Sequence, residues 1–146
     1  MSATNACETA LLSLYFNNVD HASIGDAAGL QNSLVAGSFF ISLHTADPGE
    51  AGTQVTSEAT YTGYARVAVA RSGAGFTIAA NNASNAAAVT FPVATAGSNV
   101  ITHFGIGSDL TTAGNLFFKG TLTASLTVSA GITPSFAIGE LDVNLD

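Results

Sequence analysis

Positive charge is what this sequence lacks most. Arg66, Arg71 and Lys119 are its three cations among 146 residues, against ten acids and a formal net charge of −7. Phosphate-backbone binding needs clustered Lys and Arg, so a nucleic-acid partner is disfavoured, and so is an anionic membrane surface. Cys7 stands alone, which excludes an intramolecular disulfide and a cysteine-based metal cluster and suits assembly in a reducing cytoplasm. Tryptophan is absent, which takes away the strongest sugar-stacking residue. Only 9 % of residues are charged, against about 25 % in ordinary soluble domains.

Mean hydropathy is +0.40, but long apolar runs are missing as well. Ser72 to Ser108 contains no Asp, Glu, Lys or Arg, yet it is broken by Gly73, Gly75, Asn81, Asn82, Asn85, Pro92, Gly97 and Asn99. A membrane-spanning helix needs an uninterrupted stretch of roughly 18 apolar residues, so no span is expected. Glu8 precedes the first apolar run and no basic segment leads into it, so no signal peptide is expected either.

The residues that are present pattern mainly as β-structure. Residues 5–16 read as a short helix, with Asn5 as its cap and Glu8 completing a capping box. Leu11, Leu14 and Tyr15 share one face of it, and Leu12 and Phe16 form an adjoining stripe. An Asn-, Gly-, Asp- and Ala-rich connection follows, with Ile24, Leu30 and Leu34 as its candidate anchors. From Phe39 onward nine short strands are expected: 39–44, 66–71, 76–79, 88–91, 99–106, 116–122, 125–128, 132–136 and 140–145. In the fifth, alternation places Val100, Thr102, Phe104 and Ile106 on one side. The expected fold is mainly β, an antiparallel β-sandwich or barrel-like domain with a short N-terminal helix. It divides into a helix and arm over 1–37 and a β-domain over 38–146, a single globular domain overall. Strand edges without Lys, Glu or Pro gatekeepers predict self-association, because an uncharged surface packs without desolvating ions.

Candidate chemistry is sparse. His44, Asp47 and Glu50 fall three apart, but Asp47-Pro48-Gly49 is a turn, and two carboxylates do not make a calcium shell. His103 and Asp109 lack a Gly-x-Ser-x-Gly nucleophile elbow. Gly105-Ile-Gly107 and Ser72-Gly-Ala-Gly75 have no basic residue to make a phosphate cradle. The expectation is therefore no catalytic residue, no cofactor and no metal. Leu11, Leu14, Tyr15, Asp47, Tyr61, Tyr64 and Arg66 remain as candidates for protein interaction.

The run Ser42-Leu-His-Thr-Ala-Asp-Pro-Gly-Glu-Ala-Gly-Thr53, followed by Glu58-Ala-Thr-Tyr-Thr-Gly-Tyr-Ala-Arg-Val-Ala-Val-Ala-Arg71, resembles a family of small tailed-phage virion proteins described as tail fibre or head decoration proteins. Asn85-Ala-Ala-Ala-Val-Thr-Phe-Pro92, Val100-Ile-Thr-His-Phe-Gly-Ile106 and the Ile-Thr-Pro stretch before the last strand extend it from about Leu11 to the C-terminus. The resemblance implies a non-enzymatic structural protein of the particle surface, made in the host cytoplasm. With no collagen-like repeat, heptad stalk or β-helical repeat, the leading expectation is a trimeric capsid decoration protein bound to itself and to the major capsid protein or other virion proteins. The alternative is a tail fibre or tail-tip protein that binds a host receptor or glycan through the Tyr61–Tyr64 loop.

Overall fold

The structure, a computed structural model, describes residues 2–145. One helix, α1 (Asn5–Asn17), precedes nine strands: β1 (Ser38–His44), β2 (Val67–Ala70), β3 (Phe76–Ala79), β4 (Asn82–Asn85), β5 (Val89–Thr90), β6 (Ser98–Gly107), β7 (Leu116–Ser129), β8 (Ser135–Phe136) and β9 (Asp142–Asn144). They form a four-stranded sheet in the order β2-β1-β6-β7, a three-stranded sheet in the order β3-β4-β9, and the pair β5-β8. The β1–β6, β6–β7, β3–β4 and β4–β9 pairings are antiparallel. The fold is mainly β, as the alternation predicts, and its sheets stay open, so the barrel alternative does not hold.

Two compact units emerge from the internal contacts. One comprises the described parts of Met1–Ser38, Ala70–Val89 and Phe136–Asp146; the other comprises Phe39–Val69 and Thr90–Ser135. In the first, α1 packs on β3 and β4. Its buried stripe is Glu8, Leu12 and Phe16, spaced one turn apart, and Phe16 meets Phe76 edge-on at 4.8 Å. The helix begins one residue earlier than expected. Thr4 is the N-cap, its hydroxyl accepting from the Cys7 N–H at 3.4 Å. Glu8 then lies beyond the capping-box position, which explains why it turns inward instead of reaching back. Asn85 ties this unit together from a fully buried position: its amide donates to the carbonyls of Ala87 (2.7 Å) and Ala137 (2.8 Å) and accepts from Leu141 N–H (2.9 Å).

The core of the second unit is built on Ile41, Leu43, Ile101, Phe104, Ile106, Phe91 and Val128. β7 is a single 14-residue strand where two were expected. Its register against β6 jumps between Ile101↔Leu126 and His103↔Thr121, and that irregularity falls where the sequence pattern breaks, at Thr123-Ala124. The jump also re-phases β6. Ile101 is buried together with Phe104 and Ile106, while Val100 is exposed, so strict alternation through Val100 and Thr102 fails. β4 was not expected at all, because Asn82-Ala-Ser-Asn85 carries no apolar alternation.

Candidate functional site

The strongest concentration of polar side chains lies in the second unit, where the segment 45–66 folds back over the C-terminal end of β1. The Asp47 carboxylate accepts from Gly49 N–H at 2.8 Å and so closes the Asp-Pro-Gly turn. That bond and the Lys119 ammonium hold its carboxyl below the usual carboxylate range. Lys119 on β7 lies 3.1 Å from both Asp47 and Glu50, an exposed clamp on the turn. The chain then returns beside β1, with Thr45 N–H donating to Ser57 O (2.8 Å) and Ala59 N–H to Leu43 O (2.8 Å). This return covers the second face of β1 and explains why Ser42 and His44 are as buried as Ile41 and Leu43.

Ser42 and His44 form a closed hydrogen-bonded chain. The His44 Nδ1 lies 2.8 Å from the Thr56 carbonyl, which can only accept, so Nδ1 carries the hydrogen. Nε2 is then the acceptor for the Ser42 hydroxyl at 2.8 Å. Burial pushes the His44 pKa down, keeping the ring neutral. A Cβ on Gly105 of β6 would come within 2.7 Å of both His44 Nε2 and Ser42 Oγ, so the neighbouring backbone seals the pair. It has the atoms of a Ser–His nucleophile, but no approach for a substrate and a carbonyl where a catalytic pair would have a carboxylate.

Arg66 is the hub of the site. Its Nε and Nη2 donate to the two Glu58 carboxylate oxygens at 2.7 and 2.8 Å, a bidentate pair. Its Nη1 donates to the carbonyls of Asp109 and Thr112, both at 2.7 Å, and so pins the β6–β7 loop. Asp109 rigidifies that loop from within: its carboxylate accepts from the Thr111 and Thr112 N–H groups at 2.8 and 2.6 Å, which lowers its pKa. Gln54, wholly buried, joins the two segments a second time by donating to Phe40 O (3.2 Å) and accepting from Asp109 N–H (2.9 Å). The Tyr64 hydroxyl donates to Glu58 at 2.8 Å and accepts from Leu43 N–H at 3.0 Å, and burial raises its pKa strongly. A shallow depression of about 260 Å³ lies over this cluster, lined by Glu58, Tyr64, Ala65, Arg66, Leu110 and Thr111.

Of the candidate interaction residues, Tyr61 and Arg66 are therefore internal and Tyr64 is half-buried. Tyr61 is 3 % exposed, donates to Pro92 O at 3.2 Å and meets Tyr64 edge-on at 5.3 Å. Tyr64 stacks on Phe91, and Arg66 is 6 % exposed. These side chains hold the loop, which turns at Gly63 with φ 98°, and Tyr64 keeps part of its surface in the lining of the depression. Leu11 and Tyr15 are exposed on α1, Leu14 is half-buried, and Asp47 is exposed. His103 and Asp109 do not act together: His103 Nδ1 bonds Thr102 Oγ1 at 2.8 Å, and Asp109 caps its own loop. Among the described residues no group of three or more His, Cys, Asp or Glu converges on a metal position. No helix among them is long and apolar enough to cross a membrane.

Sequence reading missed Glu58, Gln54 and Asn85. The available signal was scarcity: in a chain with three cations, each is worth pairing with a nearby acid, and Glu58 stands eight residues before Arg66.

Fold and site together define a small antiparallel β protein whose central charged pair, Arg66 and Glu58, is an internal tie. A protein-family model described as Podophage GP4 fiber I protein gp80 matches residues 2–144, and the chain belongs to that family. It is thus a bacteriophage fibre-family protein, in agreement with the resemblance to tailed-phage virion proteins. No curated protein matches it.

Proposed function

We propose that this chain is a non-enzymatic structural subunit of a phage tail fibre, working by protein–protein docking. The observation that carries the reading is the family match over residues 2–144, which favours the fibre placement over capsid decoration. The structure supports a docking role in two ways. Its Ser–His pair is sealed and the Arg66–Glu58 cluster is internally satisfied, so neither is offered to a substrate. Its surface also offers strand edge: β7 is the outer strand of its sheet, and Lys119 is the single charge along it. Such an edge is a template for further strands, including those of other copies of the chain. Receptor binding through Tyr61 and Tyr64 is less favoured, since Tyr61 is buried and Tyr64 is half-buried with its hydroxyl held by Glu58 and Leu43.

Cryo-EM of particles carrying an epitope-tagged chain tests the placement. Added density on the tail fibres is the expected result. Density on the head lattice would return the protein to capsid decoration, and absence from purified particles would overturn a virion role.

A further inference from the structure

Residues 18–37, between α1 and β1, are fastened to themselves and to α1 by polar side chains, while their apolar side chains point outward. Asn18 donates to Ser33 O and accepts from Ser33 N–H, both at 2.9 Å. Asn32 N–H donates to Asp20 at 2.7 Å, and its amide donates to Asn18 O at 2.9 Å. His21 and Leu30 exchange backbone bonds at 3.0 and 2.9 Å. Arg71 closes the base. It donates to Leu14 O (3.0 Å) and Tyr15 O (2.7 Å) at the C-terminus of α1, and to Ser33 Oγ (3.3 Å) and Ala36 O (3.0 Å) on either side of Leu34-Val35.

Within that clamp Leu34 is 102 % exposed and Val35 77 %, and Val19, Ile24 and Leu30 are exposed around them. Exposed apolar side chains contribute nothing to folding where they stand. A fastened backbone removes most of the ordering cost of a contact, so the arrangement suits insertion into a partner. The charges on the arm are Asp20 and Asp26, both acidic. A complementary groove is therefore apolar with a basic rim. A second copy cannot furnish that rim: Arg66 is buried on Glu58, Arg71 is engaged in the clamp itself, and Lys119 is held by Asp47 and Glu50.

We propose that the Leu34-Val35 projection is the plug by which this chain seats in an apolar, basic-rimmed groove on a different protein of the phage particle. The proposal rests on the fibre reading, and its test separates the two. Phage are built with the wild-type chain, with Leu34→Ser/Val35→Ser, and with the single variants Val35→Lys and Val35→Glu. Copies per purified particle are counted by quantitative mass spectrometry. Thermal unfolding and light scattering are run on each purified full-length chain. The double-serine chain should melt like wild type yet fall about tenfold or more in copies per particle. Val35→Lys should be depleted more than Val35→Glu, because the rim repels it. Wild-type incorporation of the double-serine chain would overturn the plug and leave the fibre reading standing. Absence of the wild-type chain from particles would overturn both. A lower oligomeric state of the double-serine chain in isolation would assign the surface to a second copy and overturn the proposal.

Discussion

Around Arg66, charged and polar side chains lie inside the protein; in the arm at 18–37, apolar side chains lie outside it. The two regions use the same device to opposite ends. Each centres on an arginine that gathers backbone carbonyls, Asp109 and Thr112 for Arg66, Leu14, Tyr15 and Ala36 for Arg71. Arg66 gathers them over the half-buried Glu58 carboxylate and closes its region. Arg71 gathers them at a helix C-terminus, where the macrodipole favours a cation, and holds a loop open to water. Of the two, the polar cluster looks more like a functional site, yet its groups are all mutually satisfied. What remains unsatisfied is the apolar surface of the arm, and that is where a partner gains most.

The contrast can be broken most severely at Glu58. Glu58→Ala leaves the Arg66 guanidinium buried without its carboxylate and should destabilise the chain by about 3–5 kcal/mol in urea unfolding. Glu58→Leu/Arg66→Met, which removes both charges, should recover most of that loss. If the double variant is as unstable as the single, the ion pair is not what holds the loops. Arg71→Ala should cost less, about 1–2 kcal/mol, since water reaches that site and can replace it. Its clearer signature is faster amide exchange across 33–37 with little change in residues 58–66.

Acid should act on the polar region before the arm. The native His44 pKa is lowered by burial, so below the unfolded value of about 6.5 the unfolded chain takes up a proton that the native ring resists. Stability is complete above that pH and falls as pH drops through it toward the native pKa. Asp47 and Asp109, whose pKa values are lowered, add a separate loss near and below the usual carboxylate range of about 4. Urea titrations from pH 7.5 to 5 should show the first loss in wild type and a flatter profile in His44→Gln. An unchanged slope in that variant would assign the loss elsewhere. The smallest effect is expected at Leu34: Leu34→Ala should alter stability by less than about 0.5 kcal/mol, because no packing is lost.

Much of this fold was legible in advance. Apolar alternation located β1, β2, β3 and β6 within a residue or so, although β1 buries both faces at its C-terminal end and β6 departs from strict alternation. It failed where pairing is decided by the partner strand. β4 is made of Asn, Ala and Ser and exists because β3 and β9 flank it. The register jump in β7 reversed the faces of β6 in a way that no count along β6 reveals. The site was less legible. Clustered His44, Asp47, Tyr61 and Tyr64 marked the right stretch of chain, but whether those side chains turn in or out depends on Glu58 and Gln54, distant in role though near in sequence. In the arm, Ile24, Leu30 and Leu34 were candidate anchors on hydrophobicity alone, and all three are exposed. Asn18, Asp20 and Asn32 fasten the loop to its own backbone instead, and the apolar residues are left outside.

Hydroxyl-radical footprinting of intact particles against the purified chain tests the central contrast most directly. The account predicts that Leu34 and Val35 lose reactivity in the particle while Tyr61 and Tyr64 stay equally protected in both. Leu34 and Val35 equally reactive in both states, with new protection confined to residues such as Leu110 beside the Arg66 cluster, would contradict it.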